Sequence, residues 1–401
     1  MGTNKPSVVM VGLGYIGLPT AALIASKEIN VTGVDIHQHV VDTINKGEIH
    51  IVEPDLDGLV HYVVKEGFLT ASTKPVEADV YLIAVPTPFK GDYEPDISYV
   101  EAATRALLPT LKEGALVIVE STSPVGTTEK MQKVIETERP ELKGKIYMAY
   151  CPERVLPGNV IYELEHNDRA IGGINPESTE KAVEFYRHFV KGTLHKTNSK
   201  TAEMCKLVEN SSRDVQIAFA NELSMICDEA GINVWELINL ANKHPRVNIL
   251  QPGTGVGGHC IAVDPWFIVS EFPAQAKIIR SAREINNYKT EWAIEKVKNT
   301  ALQFKIDNGR DAKIACMGLA FKPNIDDLRE SPALQVVDKL SIDGFQVLAV
   351  EPNIKKHENY TIYDMEDAIA QADIIVYLVA HREFANTEKV KQTLDFCGIF
   401  K

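Results

Sequence analysis

A cysteine at the end of a glycine-rich segment is the residue best suited to nucleophilic chemistry in this sequence. The segment runs from Pro252 to Asp264, and four glycines precede Cys260 in it. Glycine backbone can approach a ligand closely and aim N–H groups at it, and such groups favour a thiolate. We therefore predict that Cys260 is a nucleophile. The other cysteines are predicted to be small apolar residues of the interior, namely Cys151, Cys205, Cys227, Cys316 and Cys397.

His259, next to that cysteine, could be a base or a metal ligand. No second ligand stands at a spacing suitable for zinc, so no metal site is predicted. A glycine loop that carries one reactive cysteine is the simpler interpretation of the segment.

A lysine and an asparagine in a predicted long helix could both reach a single ligand oxygen. Lys206, Asn210 and Asp214 follow one another at four-residue steps, so they share one helix face. A solvated face is the ordinary explanation of such residues. This helix, however, joins two nucleotide-binding patterns, and ligands collect at such junctions. We therefore treat Lys206 and Asn210 as candidate site residues.

Three glycines near the N-terminus form a Gly-x-Gly-x-x-Gly pattern between a predicted strand and a predicted helix. Gly12 allows a tight turn, Gly14 lets a pyrophosphate approach the backbone, and Gly17 allows close helix–strand packing. The helix N-terminus favours the phosphate charge. Asp35 ends the next predicted strand, where an acid binds a ribose 2′-hydroxyl and repels a 2′-phosphate. The pattern predicts NAD rather than NADP as the cofactor.

A second α/β unit near the C-terminus carries a degenerate form of the same loop. Gly318–Ala320 follows a predicted strand, and Glu351 closes the next one. Lys322 and Arg329 come directly after the loop, which favours a phosphate-bearing ligand that is not a second NAD. The alternative is a structural duplication with a salt-bridged loop.

Two further loops follow predicted strands of the first unit. Thr122 follows Leu116–Val119, and Glu153 follows Tyr147–Tyr150. Because the carboxyl ends of parallel strands face the ligand crevice, both side chains are expected to point toward it. An ordinary loop charge is the alternative for Glu153.

Short apolar runs alternate with helical patterns in the first third of the chain. The predicted strands are Ser7–Val11, Val31–Val34, Val80–Val85 and Leu116–Val119. The predicted helices are Gly17–Ser26, Val40–Lys46, Leu56–Glu66 and Tyr99–Leu111. This alternation indicates a parallel sheet covered on both faces.

One long helix is predicted to follow, with Ser199 as its N-cap and Gly231 as its stop. Apolar residues recur in it at three- and four-residue steps and form a stripe. A helix this long can link two domains and also build a dimer interface. The α/β pattern restarts at Lys313. We therefore predict two Rossmann-like, doubly wound parallel-sheet domains, at 1–198 and 310–401, joined by a central helical domain at 199–309.

The composition excludes several classes of protein. The chain has 401 residues, of which 45% are hydrophobic and 24% charged, and its net charge is −13. An acidic chain without a basic run predicts neither nucleic acid nor an anionic membrane as a partner. The polar N-terminus is unlike a signal peptide, and no apolar stretch approaches the ~20 residues of a membrane span. Six scattered cysteines are typical of a reducing cytoplasm.

Six motifs that contain these residues follow one another along the chain. They are Gly12-x-Gly14-x-x-Gly17, Ser121-Thr-Ser-Pro-Val-Gly, Pro152-Glu-Arg, Glu203-x-x-Lys206-x-x-x-Asn210, Gly257-Gly-x-Cys260-x-x-x-Asp264 and Phe321-Lys322-x-x-x-Asp-Asp-x-Arg329-x-Ser331-Pro. In this order they resemble the UDP-glucose/GDP-mannose dehydrogenase family over nearly the whole chain. Within that family, Ile49–Asp55, His244–Asn248 and Cys260–Phe267 most resemble the branch that oxidises UDP-N-acetyl-D-mannosamine.

The resemblance implies NAD as the cofactor, a UDP-sugar substrate bound by 310–401, and a homodimer formed by 199–309. Besides the three glycines and Asp35, the implied cofactor contacts are Tyr15, Ile16, Pro86, Thr87, Thr122 and Arg329. The implied substrate contacts are Glu153, Arg154, Val155, Lys206, Asn210, Arg246, Asn248, Gly257, Phe321 and Lys322. Lys322 would bind the nucleotide phosphates, and Arg246 would reach the sugar from the partner subunit.

The implied reaction converts the sugar CH2OH at C6 into a carboxylate, for polysaccharide precursor synthesis. It removes four electrons, so it needs two NAD⁺. An aldehyde has no carbinol hydride until a nucleophile adds to it, and this explains the need for Cys260. Lys206 and Asn210 would stabilise oxyanions. Asp264, or Lys206 in its place, would handle the first proton, and Thr122 and Glu153 would activate water.

Other functions remain open from sequence. The same double oxidation could act on UDP-N-acetylglucosamine or UDP-glucose. A single-step β-hydroxyacid dehydrogenase shares the layout but would need neither Cys260 nor the second nucleotide unit. A non-catalytic NAD- or nucleotide-sugar-binding regulator would be expected to have lost the catalytic residue types, which are present here.

Overall fold

The computed structural model describes residues 5–91, 93–155, 158–258 and 260–401. The chain divides into two compact units, Met1–Val208 and Glu209–Lys401, and the boundary falls inside a long helix. The predicted three-domain division at 198 and 310 stays a prediction.

Among its described residues, the first unit contains ten strands. They are β1 Val8–Val11, β2 Val31–Val34, β3 Leu69–Ser72, β4 Val80–Ile83, β5 Phe89–Lys90, β6 Glu94–Pro95, β7 Leu116–Val119, β8 Tyr147–Tyr150, β9 Arg169–Gly173 and β10 Leu194–Asn198. Eight of them form one sheet in the order β10-β9-β8-β7-β4-β1-β2-β3, and β5 and β6 pair separately. From β3 to β8 this is the strand order of dinucleotide-binding sheets.

Helices cover both faces of this sheet, as predicted. They are α1 Gly17–Ala25, α2 Gln38–Asn45, α3 Leu56–Lys65, α4 Ser98–Leu107, α5 Thr127–Glu138, α6 Val160–His166 and α7 Pro176–Tyr186. Val8 and Met10 of β1 pack into one apolar cluster, whereas Val9 and Val11 pack into another. Each such buried side chain contributes about 1.5–3 kcal/mol, so the central strands are held from both sides.

The sequence prediction for this unit differs from the structure at the sheet's periphery. Parallel pairing was expected throughout, but β8 and β9 pair antiparallel through Ala149–Gly173 and Tyr150–Gly172. The edge strand β3 was not predicted, because only Leu69 in it is fully buried. An edge strand contacts the core on one side and therefore lacks the continuous apolar run of a central strand.

The predicted long helix is present as α8, Ser199–Ala230. The predicted N-cap is wrong by one residue. Ser199 is the first helical residue, and the preceding Asn198 accepts a hydrogen bond from the Thr201 amide through Oδ1 at 2.9 Å. Gly231 follows the helix with a φ of +69°, the left-handed conformation expected at its stop.

In the second unit, polar side chains rather than the apolar stripe attach α8 to helix α11, Lys277–Asn308. Asp214 binds Arg283 at 2.7 Å, and the buried Asn221 and Ser224 make hydrogen bonds to α11 as well. Phe219 and Ile226 of the stripe are instead 54% and 57% exposed. Asp214 is therefore a structural residue and not part of an exposed polar face.

Among its described residues, the second unit also contains a smaller parallel sheet. Its strands are β11 Lys313–Met317, β12 Gln346–Val350, β13 Ile374–Tyr377 and β14 Gln392–Asp395, in the order β12-β11-β13-β14. Its remaining helices are α9 Val234–Ala241, α10 Asp264–Glu271, α12 Pro332–Ile342 and α13 Met365–Gln371. Ile314 and Ala315 pack into opposite apolar clusters, so this sheet is also covered on both faces.

Helix α11 ends at Asn308. Gly309, in the left-handed conformation with φ +68°, follows its last residue. Neither α8 nor α11, nor any other described helix, is both long and apolar enough to cross a membrane.

Candidate active site

The glycine loop after β1 is built for close packing at two positions and for open access at a third. Gly12 has a φ of +93°, and a Cβ there would collide with the Ala84 carbonyl. A Cβ at Gly17 would collide with the carbonyl of Gly12. By contrast, no atom lies within 4 Å of a Cβ placed at Gly14. Protein packing thus explains two of the glycines, and the open space at the third is available to an approaching ligand.

The N-terminus of α1 is suited to an anion. All nine of its residues are buried, whereas Gly14 and Tyr15 just before it are exposed and Ile16 is half-buried. The helix has no side-chain cap and no acidic residue in its first turn. Its first amides therefore offer the partial positive charge that a phosphate neutralises.

Asp35 stands at the end of β2, where the ribose of a dinucleotide is expected. Its carboxylate accepts hydrogen bonds from the amides of Leu13 at 3.2 Å and His37 at 3.0 Å. Burial alone would raise the pKa of Asp35, but the hydrogen bonds outweigh it and hold the pKa below its usual range. The glycine loop, the open helix end and this ionised acid together fit NAD. Pro86 and Thr87 lie in the segment after β4, exposed and half-buried respectively.

Thr122 lies half-buried in the turn between β7 and α5. Glu203 of α8 fixes this turn, since its carboxylate accepts hydrogen bonds from the amides of Gly126 at 2.5 Å and Thr128 at 2.8 Å. Burial raises the pKa of Glu203 against the opposing effect of these bonds. Glu203 therefore holds the Thr122 segment against the start of α8.

Glu153 and Lys206 are brought together in the first unit. Lys206 Nζ donates to the main-chain oxygen of Glu153 at 2.6 Å, although the two residues are 53 positions apart. The Glu153 carboxylate is 9% exposed and binds Arg169 Nη1 at 3.2 Å. Arg154 and Val155, which follow, are half-buried. These contacts join two of the predicted site residues.

Glu53 fixes the far end of the same loop, and sequence reasoning assigned it no role. Its carboxylate accepts hydrogen bonds from the amides of Gly158, at 3.0 and 3.1 Å, and Val160, at 2.9 Å. It thus caps the N-terminus of α6. The sequence offered one signal for this role, namely that Glu53 lies in the Ile49–Asp55 segment just before a predicted helix. A buried acid at such a position can cap the N-terminus of a distant helix.

Cys260, Asp264 and Asn210 form a connected group in the second unit. Asn210 Nδ2 donates to Asp264 Oδ2 at 2.5 Å, and the Asp264 amide donates to the Cys260 carbonyl at 2.9 Å. Asp264 is buried at the start of α10, whereas Cys260 is exposed. None of the six cysteines forms a disulfide. His259 lies outside the described residues.

The cysteine loop packs against the loop after β11. A Cβ at Gly257 would collide with the Glu330 carbonyl, and the Gly258 amide donates to the Arg329 carbonyl at 3.2 Å. Gly258 also lies against the ring of Phe321, which is half-buried. The structure therefore brings the predicted substrate residues Gly257 and Phe321 together.

The predicted cationic ligands of the second unit are exposed. Lys322 is exposed, and Arg329 is 61% exposed and binds Asp327 at 2.7 Å. Arg246 and Asn248 lie on an exposed segment after α9. No cluster of three metal-ligating side chains occurs among the residues that the structure describes.

Three buried residues behind Glu153 were also not predicted. Glu120, Arg169 and Tyr186 lie within the first unit at 3% exposure or less. A glutamate directly after β7 and an arginine at the start of β9 were the signals in the sequence. Charged residues are almost never buried unless they are paired.

Comparison with known proteins agrees with this architecture. The sequence matches three parts of the UDP-glucose/GDP-mannose dehydrogenase family: the NAD binding domain at 6–190, the central domain at 200–288 and the UDP binding domain at 315–400.

Individual relatives cover nearly all of the chain. UDP-N-acetyl-D-mannosamine dehydrogenase of Escherichia coli K12 is 56% identical over 98% of this chain and 99% of its own. NDP-N-acetyl-D-galactosaminuronic acid dehydrogenase of Ralstonia nicotianae is 55% identical over 94% and 91%. The solved UDP-D-ManNAc dehydrogenase of Pyrococcus horikoshii is 40% identical, covers 98% and 96%, and superposes with a TM-score of 0.89. With its NAD-binding fold and its cysteine loop, the chain belongs to the UDP-glucose/GDP-mannose dehydrogenase family.

Proposed function

We propose that this enzyme oxidises UDP-N-acetyl-D-mannosamine at C6 to UDP-N-acetyl-D-mannosaminuronate, a precursor of cell-surface polysaccharide. The observation that carries the proposal is the exposed Cys260, whose carbonyl is bound to Asp264, which in turn is bound to Asn210. A simple alcohol dehydrogenase has no use for a nucleophilic thiol. The relative from E. coli, 56% identical, bears the name of this activity.

The reaction balances with two hydride transfers and one water. R–CH2OH, two NAD⁺ and H2O give R–COO⁻, two NADH and three H⁺. When bound, NAD accepts one hydride from C6 in each oxidation. Between them, the Cys260 thiol adds to the aldehyde to give a thiohemiacetal, whose oxidation leaves a thioester on the same sulfur. Water then cleaves the C–S bond and releases the thiol.

The hydrogen-bonding groups around these steps supply charge stabilisation and proton transfer. We assign Asn210 and Lys206 to the oxyanions that develop at C6. Asp264 relays the first proton or positions water, and Lys206 is the competing base. Thr122 and Glu153 orient the water that cleaves the thioester. Lys322 binds the nucleotide phosphates, and Arg329 the cofactor.

The active form is proposed to be a homodimer. The exposed Phe219 and Ile226 of α8 offer the apolar face that such an interface requires. Arg246, on an exposed segment of this unit, would then reach the sugar in the partner's site. We place the enzyme in the cytoplasm, where all six cysteines remain thiols.

The identity of the sugar is the most specific part of the proposal. Relatives named for N-acetylmannosamine and for N-acetylgalactosaminuronic acid are 56% and 55% identical, so overall identity does not separate them. A side-by-side NADH assay with UDP-ManNAc, UDP-GlcNAc, UDP-glucose and UDP-N-acetylgalactosamine decides. A higher kcat/KM for any of the other sugars would replace UDP-ManNAc in the proposal.

The test of the chemistry is stoichiometric. We expect two NADH per acid product from the intact enzyme, and Cys260→Ala should abolish acid formation because no thioester can form. Cys227→Ala, at a buried thiol outside the loop, is the matched control and should keep the ratio of two. One NADH per product would indicate a single-step dehydrogenase. Binding of NAD or the nucleotide sugar without turnover would indicate a non-catalytic regulator.

A further inference from the structure

A buried cluster of charged and polar side chains lies behind Glu153 in the first unit. Glu120 follows β7, Glu153 follows β8, Arg169 begins β9 and Tyr186 ends α7. All four are at most 7% exposed, and Tyr186 is fully buried. Burying charge without pairing costs several kcal/mol. The cluster therefore requires a reason beyond packing.

The guanidinium of Arg169 is fixed on several sides. Its Nη1 donates to Glu153 Oε2 at 3.2 Å, and its Nη2 donates to the Leu164 carbonyl at 3.1 Å. Its Cζ lies 5.6 Å from the centre of the Tyr186 ring. Because each contact comes from a different segment, the guanidinium has little freedom to turn, and neither has the carboxylate that it holds.

The second carboxyl of the cluster, that of Glu120, makes no hydrogen bond to this guanidinium. Glu120 Oε1 instead accepts the Tyr186 hydroxyl at 2.6 Å. Among the described residues, Glu120 Oε2 and Arg169 Nε have no hydrogen-bond partner. One guanidinium thus faces two carboxyls but binds only one.

Charge balance explains this arrangement. Burial raises the pKa of Glu120 to about 7, against the attraction of Arg169 and the hydrogen bond from Tyr186, while Glu153 raises it further. The other titratable group that faces it, Cys151, stays a thiol because burial raises its pKa to about 12. Below about pH 7, Glu120 is therefore a neutral carboxyl and does not attract the Arg169 guanidinium as a carboxylate would.

We propose that Arg169 is a positioning residue for thioester hydrolysis: it fixes the Glu153 carboxylate, while Glu120, bound to the Tyr186 hydroxyl, leaves the guanidinium to it. The inference rests on the proposed function. In the step concerned, the water oxygen bonds to the thioester carbon and Glu153 accepts the water proton. The C–S bond breaks, and the Cys260 sulfur leaves as a thiolate. Arg169 touches no reacting atom and acts only through Glu153.

The test separates hydrolysis from the two oxidations. In Arg169→Gln we expect both hydride transfers in a single turnover, followed by steady-state turnover slowed by about 10²-fold, the usual contribution of a positioned base. Intact-protein mass spectrometry should then detect the acyl adduct on Cys260. Arg169→Lys, which keeps a cation, should recover part of the rate. Arg105→Gln, at an exposed arginine of the same unit, is the matched control.

A second variant reports on Glu120 and does not depend on the folding of Arg169→Gln. Parental hydrolysis should slow, relative to hydride transfer, as pH rises from about 6 to about 8, because ionised Glu120 then draws Arg169 away from Glu153. Glu120→Gln cannot ionise, so this relative slowing should disappear. An unchanged pH profile in Glu120→Gln would contradict the assignment.

The outcomes distinguish this inference from the function beneath it. If the parent enzyme yields two NADH per acid and Arg169→Gln hydrolyses its thioester at the parental rate, Arg169 has no positioning role. If Arg169→Gln slows oxidation and hydrolysis equally without an adduct, its role is structural. If the parent enzyme itself yields one NADH per product, the proposed function is wrong, whatever Arg169→Gln does.

Discussion

The two Rossmann-like sheets begin with the same turn and continue differently. Gly12 after β1 and Gly318 after β11 have nearly identical φ values, +93° and +94°. In the first unit, the helix begins five residues later at Gly17, so its amides lie next to the turn. In the second unit, the next helix begins fourteen residues later at Pro332. A helix end is therefore available to a phosphate directly after the turn only in the first unit.

The acids that close the second strands also differ. The side chain of Asp35 is 14% exposed, whereas that of Glu351 is fully buried. Glu351 accepts hydrogen bonds from the amides of Leu319 at 2.8 Å and Ala320 at 3.0 Å, and pairs with His381 Nε2 at 3.0 Å. Asp35 also accepts main-chain amides but stays partly exposed, whereas Glu351 is fully buried and its oxygens are closed to a ribose. A single topology supports two kinds of nucleotide site because local contacts decide which groups remain available.

The largest effect is expected at Gly14. Gly14→Val should weaken NAD binding by on the order of 10²-fold, because its side chain fills the space that a pyrophosphate needs. The unfolding midpoint should hardly change, since no atom lies within 4 Å of the new Cβ.

Gly318→Ala is the counterpart in the second unit. It should lower stability, because its φ is positive and Val379 is in the way, but leave NAD affinity unchanged. NAD titration and denaturant unfolding measure both, and equal loss of NAD affinity in the two variants would contradict the contrast.

A smaller effect is expected at Glu351. Glu351→Gln should reduce the free energy of unfolding of the second unit by about 1–3 kcal/mol, because an NH2 donor replaces one of the two oxygens that accept from buried donors. Burial tends to raise the pKa of Glu351, but hydrogen bonds from His381, Leu319 and Asn353 prevail and lower it to about 2.

The sign of the pH dependence follows from this lowered pKa. An acid with a depressed pKa in the folded state stabilises it above the unfolded value of about 4.5, and this stabilisation is lost as pH falls toward 2. The difference between parent and Glu351→Gln should therefore shrink in that range. A constant difference in urea unfolding midpoints from pH 5 down to about pH 2 would argue against the ionised carboxylate.

The smallest of these effects is expected at Asp35. Asp35→Ala should weaken NAD binding by about 10-fold, equal to about 1.4 kcal/mol, and reduce the preference for NAD over NADP. The loss of repulsion toward a 2′-phosphate is the physical reason. Glu351→Gln is the control, since it should leave the NAD/NADP ratio of kcat/KM unchanged. An unaltered ratio in Asp35→Ala would remove its role as the discriminating acid.

The long helix shows where sequence patterns stop being informative. Its start, length and stop follow from local signals, and α8 was predicted to within one residue at each end. Its apolar residues Phe219 and Ile226 nevertheless point outward, and Asp214 and Asn221 are buried. Which face is covered depends on the groups that α11 presents, including Arg283, and no periodicity in α8 contains that information.

The candidate site likewise combines residues that the sequence predicted with contacts that only the fold determines. Cys260 was predicted to be a nucleophile from its glycine loop; the structure shows that it is exposed, and its role stays a prediction. The contacts of Lys206 with Glu153 and of Asn210 with Asp264 join segments more than fifty residues apart. Residue types identified these side chains as candidates, but only folding decided which of them meet.

The sequence by itself determined the glycine loop after β1, the buried strands, the long helix and the candidate cysteine loop. Each of these depends on residues close together in the chain, through φ preferences, side-chain period or local charge. Only the tertiary structure decided that Arg169 holds Glu153, that Glu53 caps a helix more than a hundred residues away, and that Glu351 is closed to ligand. The energy of a buried charge depends on its partners and on its distance from water, and packing of distant segments sets both.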